Sequence, residues 1–193
     1  MFHVEHFNIN IDMLKITLIL LLVLNLTSCG QKQQKEKKII VEQKQTTIEI
    51  DTSVIAFLPF DTTEYWLFKN VKQSELSINE LKVVEKILID CIEKYNIERK
   101  KDFEEWDEKY PKYHFGIKQF VIDLKEYKRQ YIAVINNNGE KEVWINCFCK
   151  TFTFGTDWRK EKIVVMDGGK CFFNLKINID KREYYDFMVN GLA

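Results

Sequence analysis

Residues 128–150 read KRQYIAVINNNGEKEVWINCFCK, two runs rich in β-branched and aromatic residues that flank Asn137-Asn138-Gly139. Asn-Gly is a strong signal for a hairpin, because a type I′ turn needs positive φ at both central positions. We therefore predict strands at 128–135 and 142–150, with Asn138-Gly139 as the turn. This register pairs Val134 with Val143 and Ile132 with Ile145, and it puts apolar side chains on one face.

The chain after this hairpin also has the pattern of strands. We predict strands at 161–166 and 170–179 around the turn Asp167-Gly168-Gly169, with Val165 opposite Cys171 and Ile163 opposite Phe173. A further turn at 180–182 would place Ile177 opposite Tyr185 and Leu175 opposite Phe187. The alternation along 171–179 puts Cys171, Phe173, Leu175, Ile177 and Ile179 on one face.

A helix is predicted before the strands. Ser77-Ile78-Asn79-Glu80 is a capping box, in which Ser77 is the N-cap and Glu80 reaches back from the third helical position. Apolar residues then recur every three or four positions, as in a helix packed on one side: Leu81, Val84, Leu88, Cys91 and Tyr95. The charged stretch at 97–113 either continues this helix or forms a separate charged segment outside it. Pro111 ends the stretch in either case.

Together these elements predict an α+β fold: one amphipathic helix packed on a four-stranded antiparallel sheet. This arrangement resembles the cystatin-like layout. An aromatic-rich irregular segment at 48–68, with a short strand near 48–50, precedes the helix. We place a single α+β domain at 48–193.

The sheet has a second apolar face. Trp144, Phe148 and Phe172 point away from the helix in this scheme, beside Val164 and Met166. An apolar area of this size needs a cover or a partner. One interpretation is that residues 48–68 lie across it. The alternative is that Trp144, Phe148 and Phe172 bind a partner, which would be another envelope protein or a ligand.

The N-terminal region indicates export. Residues 13–30 read MLKITLILLLVLNLTSCG, with Lys15 before an apolar run that is too short to cross a bilayer and ends in small residues. Leu26-Thr27-Ser28-Cys29 resembles the lipobox of bacterial lipoproteins. Glu5 and Asp12 do not suit a signal peptide, so we expect residues 1–12 to be a misassigned start and Met13 to be the true one. We place the signal peptide at 1–28, of which 13–28 remain if Met13 is the start, and a lipidated tether at 29–47.

This resemblance implies that Cys29 becomes the first mature residue and carries acyl chains such as palmitate, which hold the protein on a bilayer. Gly30, rather than Asp, resembles the signal for sorting to the outer membrane. Residues 127–193 are also similar to a group of uncharacterised lipoproteins from Bacteroidetes-type bacteria. The segments that carry this similarity are YKRQY at 127–131, EVWINCF at 142–148, DGG at 167–169 and VNG at 189–191.

Four thiols remain besides Cys29: Cys91, Cys147, Cys149 and Cys171. The envelope permits disulfides. Cys147 and Cys149 have parallel side chains on one strand, and a strand at 161–166 would separate Cys147 from Cys171 by about 10 Å. The candidates are a bridge from Cys91 to Cys147 or Cys171, or, as the favoured interpretation, small buried hydrophobic side chains.

The composition and motifs favour a protein without catalytic chemistry. A formal net charge of zero argues against nucleic acid. His114 is the one histidine of the mature chain, and the cysteine spacing does not suit zinc, so we predict neither metal nor cofactor. We expect a non-enzymatic binding or structural module of the envelope. Two alternatives stay open: a cystatin-like inhibitor or ligand-binding module that uses loops 136–139 and 167–169, and a hydrolase.

Overall fold

A computed structural model describes residues 50–153 and 155–191 of the 193-residue chain. The elements are β1 (Ile55–Phe57), β2 (Lys72–Ser74), α1 (Ile78–Lys109), β3 (Tyr127–Ile135), β4 (Lys141–Cys149), β5 (Phe172–Asn178) and β6 (Glu183–Val189). The predicted signal peptide, the lipobox with Cys29, and the tether lie outside the described residues. Within the described part of the chain, no helix is both long enough and apolar enough to cross a membrane.

Helix α1 begins where the capping box predicts. The backbone N–H of Ser77 donates to Glu80 Oε2 at 2.8 Å, and the Ser77 hydroxyl accepts from the Glu80 N–H at 3.3 Å. The helix then runs for 32 residues to Lys109, so the charged stretch continues it, and Pro111 follows the C-cap Tyr110. At 1.5 Å per residue its length is about 48 Å.

The C-terminal part of α1 carries its own small aromatic cluster. Its buried positions end at Ile92. Beyond that point, aromatic rings of the helix contact rings of the following loop: Phe103 and Trp106 from the helix, Tyr110 from its C-cap, and Tyr113, Phe115 and Phe120 from the loop. These contacts fold the loop back along the helix, so the chain returns to the sheet.

Among the described residues, the sheet has six strands and is mixed. Strands β3, β4, β5 and β6 are neighbours in that order and antiparallel. Strand β1 lies parallel to one half of the outer edge of β3, and β2 lies antiparallel to the other half. The fold is therefore α+β, as predicted, but the sheet is larger than the predicted four antiparallel strands. The predicted strand at 161–166 is wrong, because this segment is irregular and β5 pairs directly with β4.

The first hairpin is displaced by one residue from the predicted register. Ala133 lies opposite Val143, and Val134 lies opposite Glu142. The reason is the side chain of Asn136, whose Oδ1 accepts from the N–H groups of Asn138 at 2.9 Å and Glu140 at 3.0 Å. These bonds stabilise a five-residue turn at 136–140, in which Gly139 has a φ of 80°. The two-residue turn is therefore not formed.

The last hairpin combines two registers. Near its turn, Ile177 pairs with Tyr184, one residue away from the predicted Tyr185. A bulge follows, where Asp186 has a φ of 50°, and beyond it Asn174 pairs with Met188 in the predicted register. The extra residue in β6 absorbs the difference.

The sheet is packed on both faces. Helix α1 covers one face, and the resulting core contains Leu81, Val84, Leu88, Cys91, Tyr127, Tyr131, Val143, Ile145, Cys147, Phe173, Leu175 and Ile177. The other face carries two smaller clusters, one around Trp144 and one around Phe148. Because β3 and β4 contribute side chains to both faces, they are the most buried strands.

Candidate functional site

The proposed partner-binding face is covered. Trp144, Phe148 and Phe172 are at most 4% exposed. Leu58, Leu67 and Phe68 pack over Trp144, while Trp158 and Ile163 pack with Phe148 and Phe172. The docking hypothesis for Trp144, Phe148 and Phe172 is therefore wrong as an exposed surface. The alternative, in which the segment before the helix lies across this face, is confirmed for Leu58, Leu67 and Phe68.

Hydrogen bonds from buried side-chain amides hold residues 158–163, which cover Phe148 and Phe172, in place. The Gln130 Nε2 donates to the carbonyl oxygens of Trp158 at 2.6 Å and Glu161 at 2.7 Å. Its Oε1 accepts from the Ile163 N–H and from Asn146 Nδ2, each at 3.0 Å. Residues 158–163 are thus hydrogen-bonded to two side chains of the sheet, although they form no strand.

The disulfide differs from the predicted one. Cys149 is bonded to Cys171, while Cys91 and Cys147 are free and buried. The alternative of a bridge from Cys91 to Cys147 or Cys171 is therefore not formed. The favoured interpretation, buried side chains without a bridge, is confirmed for Cys91 and Cys147 and is wrong for Cys149 and Cys171. The error follows from the missing strand at 161–166: β5 lies next to β4, Phe148 faces Phe172, and the adjoining Cys149 and Cys171 are 4.9 Å apart at Cα.

The loops of the inhibitor hypothesis do not lie together. The turn at 136–140 joins the first hairpin at one end of the sheet, whereas residues 167–169 precede β5 at the other end. Strand β4, with nine residues, separates them by about 30 Å. The loop at 167–169 is also tied down, because Asn190 Nδ2 donates to the carbonyl oxygens of Val165 at 2.6 Å and Asp167 at 2.9 Å.

An open cleft lies between α1 and the sheet. Its volume is about 570 Å³, which is within the usual range for sites that bind small molecules. The 3-10 helices at Thr52–Val54 and Leu124–Glu126 form its sides. Its lining is Asp51, Val54, Glu85, Ile89, Ile92, Glu93, Asn96, Ile122, Asp123, Leu124, Lys125, Arg129 and Lys150.

Three polar side chains meet next to this cleft, and two of them, Glu85 and Arg129, line it. The Tyr131 hydroxyl donates a hydrogen bond to Glu85 Oε1, and Arg129 Nε lies 3.6 Å from the same oxygen. All three residues are buried. Burial raises the pKa of Tyr131 well above its usual value, and the Glu85 carboxylate raises it further. The phenol therefore stays protonated and remains the donor.

Arg129 is only partly satisfied. Its side chain is 8% exposed and makes the ion pair with Glu85, yet its buried Nε forms no hydrogen bond with any described residue. A guanidinium has five N–H donors, and a buried charge without hydrogen bonds is costly. Arg129 is also one of the residues that line the cleft.

The rim of the cleft is charged and its walls are apolar. Asp51 Oδ1 accepts from the Ser53 N–H at 2.9 Å, and Asp123 Oδ1 accepts from the Lys125 N–H at 3.1 Å. Hydrogen bonds from the Ser53 hydroxyl and N–H lower the pKa of Asp51, so it stays ionised. The apolar wall consists of Val54, Ile89, Ile92, Ile122 and Leu124.

One wall of the cleft is held rigidly to the helix. The Asn96 side chain donates from Nδ2 to the Ile122 carbonyl oxygen and accepts at Oδ1 from the Ile122 N–H, both at 2.8 Å. This paired arrangement imitates a backbone ladder between α1 and the segment before β3. These two hydrogen bonds therefore hold the Ile122 side of the cleft against the helix.

Sequence reasoning missed Glu85 and Arg129. Glu85 is four residues after Leu81 and three before Leu88, on the apolar stripe of α1. Arg129 alternates with Tyr127 and Tyr131 on the buried face of β3. Each of these two residues is a charged side chain on the apolar face of its element, Glu85 on α1 and Arg129 on β3. This shared feature was the signal that could have predicted their pairing.

The other candidate chemistry is not assembled. His114 is exposed, with a φ of 45°, in the loop after α1. Among residues 50–153 and 155–191, no three His, Cys, Asp or Glu side chains are grouped as metal ligands would be. Burial raises the pKa of Cys91 to about 11, so this thiol is a poor nucleophile at neutral pH.

Comparison of the chain with protein-family models, with curated proteins and with solved structures finds no match.

Proposed function

We propose that this protein is a non-enzymatic ligand-binding module of the bacterial cell envelope, anchored to the membrane through acyl chains on Cys29. The cleft between α1 and the sheet is its binding site. The observation that carries this proposal is the buried, incompletely hydrogen-bonded Arg129 in the lining of an open cavity of about 570 Å³. A buried cationic side chain with incomplete hydrogen bonding can still donate hydrogen bonds to a ligand.

Binding fits the cleft better than hydrolysis. Three of its four carboxylates are held by partners: Glu85 by Tyr131, Asp51 by Ser53 and Asp123 by the Lys125 N–H. The fourth, Glu93, is exposed on the surface of the helix. A general base needs a free carboxylate or imidazole within reach of a substrate proton. The buried thiols of Cys91 and Cys147 have raised pKa values and do not line the cleft. These features favour recognition over chemistry.

The anchor is proposed from the lipobox at 26–29. Two or more acyl chains give stable attachment, whereas one chain alone is marginal. A flexible tether over residues 29–47 would reach about 20–25 Å, which separates the domain from the lipid headgroups. A Cys29→Ser variant should move from the membrane fraction to the soluble fraction and lose the mass of the acyl chains. Unchanged fractionation and unchanged mass would refute the anchor.

The binding site is tested by filling the cleft. Ile89 lines the cleft and Ile97, further along the same helix, is exposed outside it. A library of small molecules would be screened by thermal shift and by NMR against the Cys29→Ser chain. Compounds that bind the Cys29→Ser chain should bind the Ile89→Trp variant more weakly and should bind the Ile97→Trp variant with unchanged affinity. If they bind Ile89→Trp as tightly as the parent, the cleft is not the site.

A second candidate is an inhibitor that inserts two turns into a target. It is favoured by one observation, since the turn at 136–140 and the turn after β5 lie at the same end of the sheet. Lys181 Nζ is 2.9 Å from Glu140 Oε2, and the Lys141 N–H donates to Asp180 Oδ2 at 2.6 Å. Deletion of residues 137–139 should abolish such inhibition and leave ligand binding in the cleft unchanged.

A further inference from the structure

We propose that the cleft selects small organic acids, and that Arg129 binds their single carboxylate through two parallel hydrogen bonds. This inference rests on the proposed function, because it names the class of ligand that the same cleft would hold. It follows from the state of the Arg129 side chain, the charges at the rim and the character of the walls.

The first argument is the geometry of the guanidinium. Its Nε lies 3.6 Å from Glu85 Oε1, which is beyond hydrogen-bond distance, and that oxygen already accepts from Tyr131. Glu85 thus balances the charge of Arg129 without using its donors. The planar fork of an arginine matches the two oxygens of a carboxylate, and such paired bonds are strong when buried. A ligand carboxylate would supply the missing hydrogen bonds.

The second argument concerns charge. Lys125 and Lys150 line the cleft together with Arg129 and are its three cationic residues. Asp51, Glu85, Glu93 and Asp123 line it as well, so the lining has a formal charge of −1. These carboxylates repel a dianion more strongly than a monoanion, since Coulomb energy scales with charge. The balance therefore favours a monocarboxylate over inorganic phosphate.

The third argument is the wall. Five aliphatic side chains line the cleft, and polar atoms contribute the smaller part of its lining. An apolar body attached to the carboxylate would remove this surface from water, which is favourable by about 25 cal/mol per Å². The ligand class is thus a monocarboxylate that carries an aliphatic or aromatic group.

The test uses phenylacetate as the probe, with phenylacetamide as its neutral isostere and inorganic phosphate as the dianion-bearing control. Each is titrated into the Cys29→Ser chain while amide NMR signals are recorded. We expect phenylacetate to shift signals around Arg129 and Ile122, and to bind at least about tenfold more tightly than phenylacetamide or phosphate. Equal affinity for phenylacetate and phenylacetamide would overturn the inference.

Variants separate the role of Arg129 from that of general charge. Arg129→Gln should weaken phenylacetate binding at least about tenfold, whereas Arg182→Gln, at an exposed position, should leave it unchanged. Glu85→Gln should tighten binding, because it removes the internal anion that competes for the guanidinium. Unchanged affinity in Arg129→Gln would overturn the inference.

Arg129→Gln leaves Glu85 as a lone buried charge and can unfold the protein. The double variant Glu85→Gln/Arg129→Gln removes both charges and serves as the folded reference, to be checked by its NMR spectrum. It should bind phenylacetate no more tightly than phenylacetamide.

Two further outcomes distinguish the inference from the proposed function. If phenylacetate and phenylacetamide bind equally and both are blocked by Ile89→Trp, the carboxylate selectivity is wrong and the binding function stands. If Ile89→Trp blocks no compound of the screen, the function itself fails.

Discussion

The phenol of Tyr131 on β3 donates a hydrogen bond to the carboxylate of Glu85 on α1, and this bond joins residues 46 positions apart in the chain. It connects the helix to the sheet next to the cleft, where both residues are buried. The same carboxylate balances the charge of Arg129. One buried oxygen therefore links the packing of the helix to the polar part of the cleft lining.

Removal of this phenol should destabilise the fold. Tyr131→Phe leaves the Glu85 carboxylate without its hydrogen-bond donor, and we expect the free energy of unfolding to fall by about 1.5–3 kcal/mol. Urea denaturation followed by circular dichroism measures the change. Tyr65→Phe, at a residue that is 70% exposed, is the matched control and should have no effect. Equal stability of Tyr131→Phe and the parent would contradict the structural role of the bond.

The Cys149–Cys171 bridge should contribute to stability. It closes a loop with a sequence separation of 22 residues, for which chain entropy in the unfolded state corresponds to about 3 kcal/mol. Cys149→Ala/Cys171→Ala should unfold at a lower urea concentration and should no longer respond to reductant. Peptide mapping under non-reducing conditions should recover Cys149 linked to Cys171. A linked peptide that contains Cys91 would disprove the pairing.

The Gln130 side chain should be essential for the cover over Phe148. Gln130→Leu leaves its buried partners without hydrogen bonds, and we expect a loss of about 3 kcal/mol. Hydrogen exchange at the Ile163 amide should accelerate, because this N–H donates to Gln130 Oε1 at 3.0 Å. Gln119→Leu changes the same residue type at an exposed position and should not alter exchange at Ile163. Equal exchange rates in both variants would show that other contacts hold the cover.

Gly168 should not tolerate a side chain. Its φ is 89°, and an added Cβ would lie 2.6 Å from ring carbons of Phe172, which is buried. Gly168→Ala should therefore cost at least about 1–2 kcal/mol, the penalty for a left-handed backbone in an L-residue. Gly116→Ala is the control, because its Cβ would meet nothing within 4 Å and its φ is −97°. Thermal unfolding distinguishes the two, and equal midpoints would contradict the prediction.

The capping box should make stability depend on pH. Hydrogen bonds from Lys141 and from the Ser77 backbone lower the pKa of Glu80 from 4.5 to about 2. A carboxyl with a lowered pKa in the folded state stabilises that state above the unfolded pKa, and the contribution is lost as pH falls from 4.5 to about 2. Because Glu80 is partly exposed, we expect only about 1 kcal/mol.

The corresponding variant is Glu80→Gln. Its deficit relative to the parent should be largest above pH 5 and should disappear near pH 2, which urea denaturation at several pH values measures. Glu140 titrates in the same range in both proteins, since hydrogen bonds from Asn136, Lys181 and Asn178 lower its pKa to about 2. Its contribution therefore cancels in the difference. A deficit that does not change with pH would mean that the Glu80 charge is not involved.

Sequence reasoning succeeded where the signal is local. It failed where two segments with strand-like alternation, 161–166 and β5, could each have been the neighbour of β4. Ser77 and Glu80 identify the start of α1, because both bonds of the capping box form within one turn. Residues 161–166 alternate like a strand, yet their carbonyl and N–H groups bond to the side chains of Gln130 and Asn146 instead. Alternation reports which side chains can be buried. It does not report which backbone partner is available.

The sequence by itself determined that the described domain is α+β, that its helix starts after Ser77, and that Trp144, Phe148 and Phe172 lie on the face opposite the helix. These features depend on periodicity and on capping within a few residues. Only the tertiary structure decided that β5 joins β4, that Cys149 binds Cys171, and that Glu85 and Arg129 meet in the lining of a cleft. Each of these needs residues that are distant in the chain to come together, and that choice depends on the packing of the whole domain.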